Sequence, residues 1–144
     1  MIAVDTNILV YAHREDSPHH PAAARAVRDL AAGNAEWAIP WPCVHEFLAV
    51  VTHPRIYRPA SPSDVALAAI AALGALPRVR FLHEGAGHLE TLTGLVASGD
   101  VTGARVHDAR IAAICISHGV SELWSADRDF SWFPRLRTVN PLVA

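Results

Sequence analysis

Short apolar runs that end in polar or acidic turns recur along this chain, each separated from the next by a helix-length stretch. That alternation constrains the fold more than any other feature. Ile2-Ala3-Val4, Trp37-Ala38-Ile39, residues 79–82 and residues 122–125 read as buried strands, and a last short strand falls at 136–139. Helix signals fill the gaps. A helix opens at Ile8; Ser17-Pro18 supplies a cap and a first-turn proline for an Ala-rich stretch to Leu30; Pro42 starts a helix through Val51. Ser61-Pro62-Ser63-Asp64 announces a helix over 65–76, and two more span 89–97 and 106–117, with Gly33, Gly74, Gly99 and Gly119 as their stops. Strands alternating with helices imply a parallel or mostly parallel sheet covered on both faces. The expected class is α/β, a three-layer α/β/α sandwich, as one domain over 1–144.

Composition excludes some functions. The net charge of −2 argues against a polyanion binder that relies on overall basicity, although all 12 basic residues are arginine, the better bidentate partner for phosphate. Nucleic acid would have to be held by local patches. Cys43 and Cys115 fall inside apolar helical patterns and read as free buried thiols in a reducing cytoplasm. The first residues lack a basic start and are interrupted by Asp5, and no run is long enough for a membrane span. A soluble cytoplasmic protein is expected.

Four carboxylates, Asp5, Glu46, Asp108 and Asp127, stand where an apolar run ends or a helix begins. Ligands of open α/β sheets bind outside the carboxyl ends of the strands, so acids delivered there from separate strands are neighbours. Each has a plainer reading when taken alone. Asp5 suits a helix cap, Glu46 a surface position and Asp108 the favourable first turn of a helix. Together they form an acidic pocket. Two unit charges about 4 Å apart at an effective dielectric near 20 repel by about 4 kcal/mol, so such a cluster holds protons or a cation. Oxygen donors alone point to Mg²⁺ or Mn²⁺. Asp127 and Asp129 bracket Arg128 and would point to one side of an extended stretch. Thr6 can fix Asp5 through its hydroxyl, and Asn7 can cap the next helix or touch a ligand.

Other candidates carry less. His13, His19 and His20 have no third partner at ligand spacing and read as solvated surface, and His107 is noted only as the neighbour of Asp108. Trp37, Trp41, Trp124 and Trp132 read as core rather than base-stacking platforms, with Trp41, beside prolines, the one to test for partner contact.

The motifs that carry these acids resemble those of the PIN-domain nucleases, and within them the VapC-type toxins of toxin–antitoxin pairs. Ile2-Ala3-Val4-Asp5-Thr6-Asn7-Ile8-Leu9 is similar to the first family motif and Pro42-Cys43-Val44-His45-Glu46-Phe47 to the second. His107-Asp108-Ala109-Arg110-Ile111-Ala112-Ala113 and Leu123-Trp124-Ser125-Ala126-Asp127-Arg128-Asp129-Phe130 resemble the third and fourth. Ser125 departs from the usual threonine but keeps the hydroxyl, and Trp124 is bulkier than the family's common residue. The resemblance implies an endoribonuclease with one or two divalent ions, a homodimer, and inhibition by a cognate antitoxin that covers the site. It implies Asp5, Asp108 and Asp127 as metal ligands and Glu46 as a ligand or the group that orients water. Thr6, Asn7, Ser125 and Asp129 would support them. Two alternatives stand beside it: a catalytically silent PIN module that only binds a partner, and a phosphohydrolase with Asp5 as nucleophile. The second also needs a lysine, and the chain has none.

Overall fold

The computed structural model describes residues 1–143, with Asp129 described by its backbone alone. Strands Ile2–Val4 (β1), Trp37–Pro40 (β2), Val79–Leu82 (β3), Glu122–Trp124 (β4) and Thr138–Val139 (β5) form one sheet in the order β3-β2-β1-β4-β5. Every neighbouring pair is parallel. Parallel strands are buried on both faces, which is why Ala3, Val4, Ala38 and Ile39 have no exposed surface at all. Helices Thr6–His13 (α1) and His20–Ala32 (α2) join β1 to β2, Trp41–Val51 (α3) and Ser63–Gly74 (α4) join β2 to β3, and His88–Gly99 (α5) and Arg105–Ser117 (α6) join β3 to β4.

The chain steps outward from β1 to β3 and then returns across β1 to β4. Right-handed crossovers therefore place α1 to α4 on one face of the sheet and α5 and α6 on the other. The packing agrees: α1 lies against α2 and α3, α3 against α4, and α5 against α6. The expected α/β sandwich is what forms, and its sheet is parallel throughout. The direction of winding reverses between β1 and β4. A crevice opens there at the carboxyl ends of the strands, and Asp5 and Asp127 follow those two strands.

Several local expectations change. Ser17 does not cap α2; its hydroxyl accepts the His19 backbone N–H at 3.1 Å in a turn before the helix, and Pro21 occupies the first turn instead. Ser61 is likewise taken, by His13 Nε2 at 2.9 Å and Arg14 Nη1 at 3.2 Å, so α4 begins at Ser63 without that cap. Gly99 is the last residue of α5, and the left-handed position falls on Asp100 (φ 50°). A Cβ on Gly99 would lie 3.1 Å from a Val101 methyl and 3.5 Å from the Trp132 carbonyl oxygen, so close approach rather than conformational freedom favours glycine there. The segment after Asp127 is not extended. Arg128–Trp132 forms a 3-10 turn, because Phe130 and Phe133, both 1% exposed, anchor it to the core. The last strand is shortened to Thr138–Val139. His13 is half-buried against Phe47, with ring centroids 5.3 Å apart, and His20 Nδ1 meets the Tyr11 carbonyl at 2.9 Å. These histidines bind the helices together rather than facing solvent alone.

Candidate active site

Asp5 occupies the N-cap position of α1, yet its side chain makes no capping hydrogen bond. The carboxylate turns across the sheet instead. Ser125 Oγ donates to Asp5 Oδ2 at 2.7 Å, and Cys43 Sγ approaches Oδ1 at 3.5 Å. The backbone fixes this geometry from below, since the Asp5 N–H donates to the Trp124 carbonyl at 2.9 Å and continues the β1–β4 pairing to the crevice floor. Asn7 locks the two strand ends together. Its Oδ1 accepts the Ala126 N–H at 3.1 Å, and its Nδ2 donates to Ser125 Oγ at 3.3 Å and reaches Asp5 Oδ2 at 3.5 Å. Ser125 Oγ also accepts the Asp127 N–H at 2.9 Å, which orients the turn carrying that acid.

Asp5 is 4% exposed. Burial pushes its carboxyl up to about 6, against the Ser125 hydroxyl, the Thr6 backbone N–H and the Cys43 thiol, which favour the anion; the charge of Glu46 adds to the rise. Glu46 arrives from the second turn of α3 and is exposed, but Thr6 Oγ1 donates to its Oε2 at 3.1 Å. Asp108 projects from the first turn of α6 and is half-buried, as is Asp127. Asp5, Thr6, Asn7, Glu46, Asp108 and Asp127 all line one cleft of about 280 Å³. The four acids that lie 41, 62 and 19 positions apart in the chain thus share one opening.

Tyr11, Ile56 and Tyr57 form the apolar side of the cleft, and Arg14 lies over the Tyr57 ring at 4.4 Å. Neither tyrosine nor Cys43 was assigned to the site from the sequence. A signal for Tyr11 existed: it is four residues after Asn7 and shares its helix face. Cys43 similarly precedes Glu46 by three, and only the packing of α3 on α1 aims it at Asp5. Arg110, two residues after Asp108, pairs with Glu84. Two tryptophans depart from the core reading, since Trp37 is 1% exposed whereas Trp41 and Trp132 are 38% and 43% exposed. The side chain of Asp129 lies outside the described residues.

Among the described residues no three His, Cys, Asp or Glu groups converge tightly enough to grip an ion directly. The donors are hard oxygens on a roomy cleft. Mg²⁺ usually takes one or two carboxylates and keeps several waters, whereas structural zinc wants a closed tetrahedron of nitrogen or sulfur. The residues present fit the former.

Comparison with known proteins agrees with this architecture. The model of the PIN domain matches residues 2–136. VapC ribonuclease Mb2897 of Mycobacterium bovis is 36% identical over 143 residues, covering 99% of this chain and 96% of that protein. Ribonuclease VapC31 of Mycobacterium tuberculosis is 33% identical over 141 residues, covering 98% and 99%. Among solved structures, the sarcin-ricin loop cleaving toxin VapC20 of Mycobacterium tuberculosis superposes with a TM-score of 0.68 at 22% identity, over 91% of this chain and 93% of that one. With a parallel sheet in this order, four acids at its switch point and relatives matched end to end, the chain belongs to the PIN domain family and, within it, to the VapC ribonucleases.

Proposed function

We propose that this chain is the toxin of a toxin–antitoxin pair, an endoribonuclease that hydrolyses RNA phosphodiester bonds at the Asp5, Glu46, Asp108 and Asp127 cleft with Mg²⁺ or Mn²⁺. The observation that carries this reading is Asp5: a buried carboxylate at the switch point, held by Ser125 at 2.7 Å and opening onto three further acids. Among the described residues this desolvated carboxylate, pushed up to about 6, has no partner of opposite charge. A cation is the group that would keep it ionised.

Asp5 and Asp108 would hold the ion, with Asp127 contributing directly or through water. A divalent ion bound there supplies counter-charge for the pentacoordinate transition state and lowers the pKa of attacking water. The protein's own part is positioning. Ser125 and Asn7 fix the Asp5 carboxylate and the turn carrying Asp127, and Thr6 holds Glu46 where it can orient the water or accept its proton. Asp129 completes the proposed set of supporting residues. The absence of lysine counts against the aspartate-nucleophile phosphohydrolase, and the presence of all four acids in one cleft counts against a silent binding module. RNA degradation by the purified chain, abolished by chelation and restored by Mn²⁺ or Mg²⁺, tests the proposal; degradation that survives chelation sinks it.

An antitoxin partner is supported by solved relatives, which include VapBC2 from Rickettsia felis, TM-score 0.66 at 22% identity over 97% and 98% of the two chains, determined with a DNA fragment from their promoter. An apolar groove of about 540 Å³ lined by Leu9, Val27, Phe47, Leu73 and Leu76 offers such a partner a surface on the early helices. A homodimer working in the cytoplasm completes the reading. Among the described residues no helix is long and apolar enough to cross a membrane.

A further inference from the structure

Trp132 ends the 3-10 turn that begins directly after Asp127, and the geometry of that turn forces its indole outward. Residues three apart nearly eclipse one another in a 3-10 helix; Phe130 and Phe133 take the inner side at 1% exposure each, and Trp132 is left 43% exposed. Arg105 comes from a different element. It opens α6 one turn before Asp108, and its guanidinium lies 4.0 Å from the centroid of the Trp132 ring. Arg14, Arg80, Arg110 and Arg137 each pair with a carboxylate. Among the described residues Arg105 has no such pair and takes an aromatic face instead. Along the chain the stacked pair is therefore one helical turn from Asp108 and one short turn from Asp127, two of the acids that line the cleft.

We infer that Arg105 and Trp132 form a stacking platform for one base of a single-stranded RNA whose backbone enters the acidic cleft. The inference rests on the ribonuclease reading. Four carboxylates repel the very phosphates they act on, so the strand needs a grip beside the cleft that does not depend on those acids. A guanidinium plane laid on an indole provides one: it stacks with a base, adds positive charge near the adjoining phosphate, and accepts any base because every base has a π-face. Arg105 also sits within a helical turn of Asp108, where neighbouring side chains are about 5–6 Å apart. That separation suits a base and the phosphate next to it.

The test uses the full chain carrying Asp5→Asn, so that RNA is bound without being cut. Affinity is measured with a labelled mixed-sequence RNA of about ten nucleotides and with an abasic RNA of the same length. Intact RNA is expected to bind more tightly than abasic RNA, Trp132→Leu to weaken intact RNA by roughly five- to a hundredfold, and Trp132→Phe to restore most of the loss. Arg105→Lys keeps the charge but not the plane and should weaken intact RNA while leaving abasic RNA nearly unmoved. Its readout stands even if Trp132→Leu does not fold. Equal affinity for intact and abasic RNA, or affinity unmoved by Arg105→Lys, overturns the platform. Cleavage by the chain with all acids intact is scored separately: its absence alongside base-dependent binding sinks the ribonuclease reading and leaves the platform standing.

Discussion

Ser125 and Asp5, 120 residues apart in the chain, meet through a 2.7 Å hydrogen bond in which the serine hydroxyl donates to a carboxylate almost sealed from water. The contact exists because β1 and β4 are adjacent parallel strands in register, with Val4 opposite Trp124. The residue after each strand then falls at the same level, and the two side chains face each other across the switch point.

That bond sets the first expectation. Ser125→Ala removes a donor to Asp5 and the acceptor for the Asp127 N–H, and loss of a group supporting a metal ligand typically costs 10- to 100-fold in metal affinity or activity. A drop of that order in RNA cleavage is expected, with Ser125→Thr near the parent because it keeps the hydroxyl. Equal cleavage by the serine and alanine forms would remove Ser125 from the site.

Asp5→Asn should abolish cleavage and stabilise the metal-free protein at neutral pH. The sign follows from burial: the folded carboxyl titrates near 6 against an ordinary value of 3.8, so the folded state prefers the protonated acid. The penalty for ionised Asp5 is absent below the unfolded value, grows as pH rises between the two, and is complete above about 6. The difference corresponds to about 3 kcal/mol. Melting curves without metal at pH 4 and pH 8 check this: the variant's advantage should be large at pH 8 and small at pH 4. An advantage independent of pH would mean that Asp5 ionisation is not its source.

Divalent ions should raise the melting temperature, by an amount set by RT ln(1 + [L]/Kd), roughly 2.7 kcal/mol at a hundredfold excess over Kd. Mn²⁺ should act more strongly than Mg²⁺. Protons compete for Asp5, so the effect should shrink as pH falls from 7.5 to 5, and both Asp5→Asn and Asp108→Asn should lose it together with cleavage. A melting curve unmoved by millimolar Mn²⁺ at pH 7.5 is the contrary result.

Both thiols should be silent in the native protein. Burial pushes Cys43 far above its ordinary range and Cys115 up to about 12, with the nearby Asp5 charge adding to each, and only a thiolate reacts readily. A thiol reagent at pH 8 should modify neither cysteine until denaturant is added. Fast labelling of Cys43 in the folded protein would show that the wall behind Asp5 opens.

Expression of the chain alone should arrest growth, and co-expression with the product of its neighbouring gene should rescue it and yield a co-purifying complex. Leu73→Asp, placing a charge in the groove beside Phe47 and Leu76, should weaken that complex. Harmless expression with no small partner recovered would end the toxin role even with RNA cleavage intact.

The acids at the ends of apolar runs were legible from residues 2–9, 42–47, 107–113 and 123–130, because apolar periodicity and helix starts are local properties that a few neighbouring residues dictate. Layering and strand direction followed from the alternation of elements. What those stretches could not decide was everything that depends on which strands are neighbours. Asp5 suits a helix cap as well as a site, and only the adjacency of β1 and β4 turns it from capping α1 toward Ser125. Cys43 meets Asp5 only through the packing of α3 beside α1, and Ser61 is drawn from helix capping to His13 and Arg14 in the same way. Trp132 looks like core in sequence and is turned outward by the burial of Phe130 and Phe133. Local chemistry fixes what each residue can do, whereas strand order, a long-range choice carried by the whole core, decides which of those possibilities has a partner.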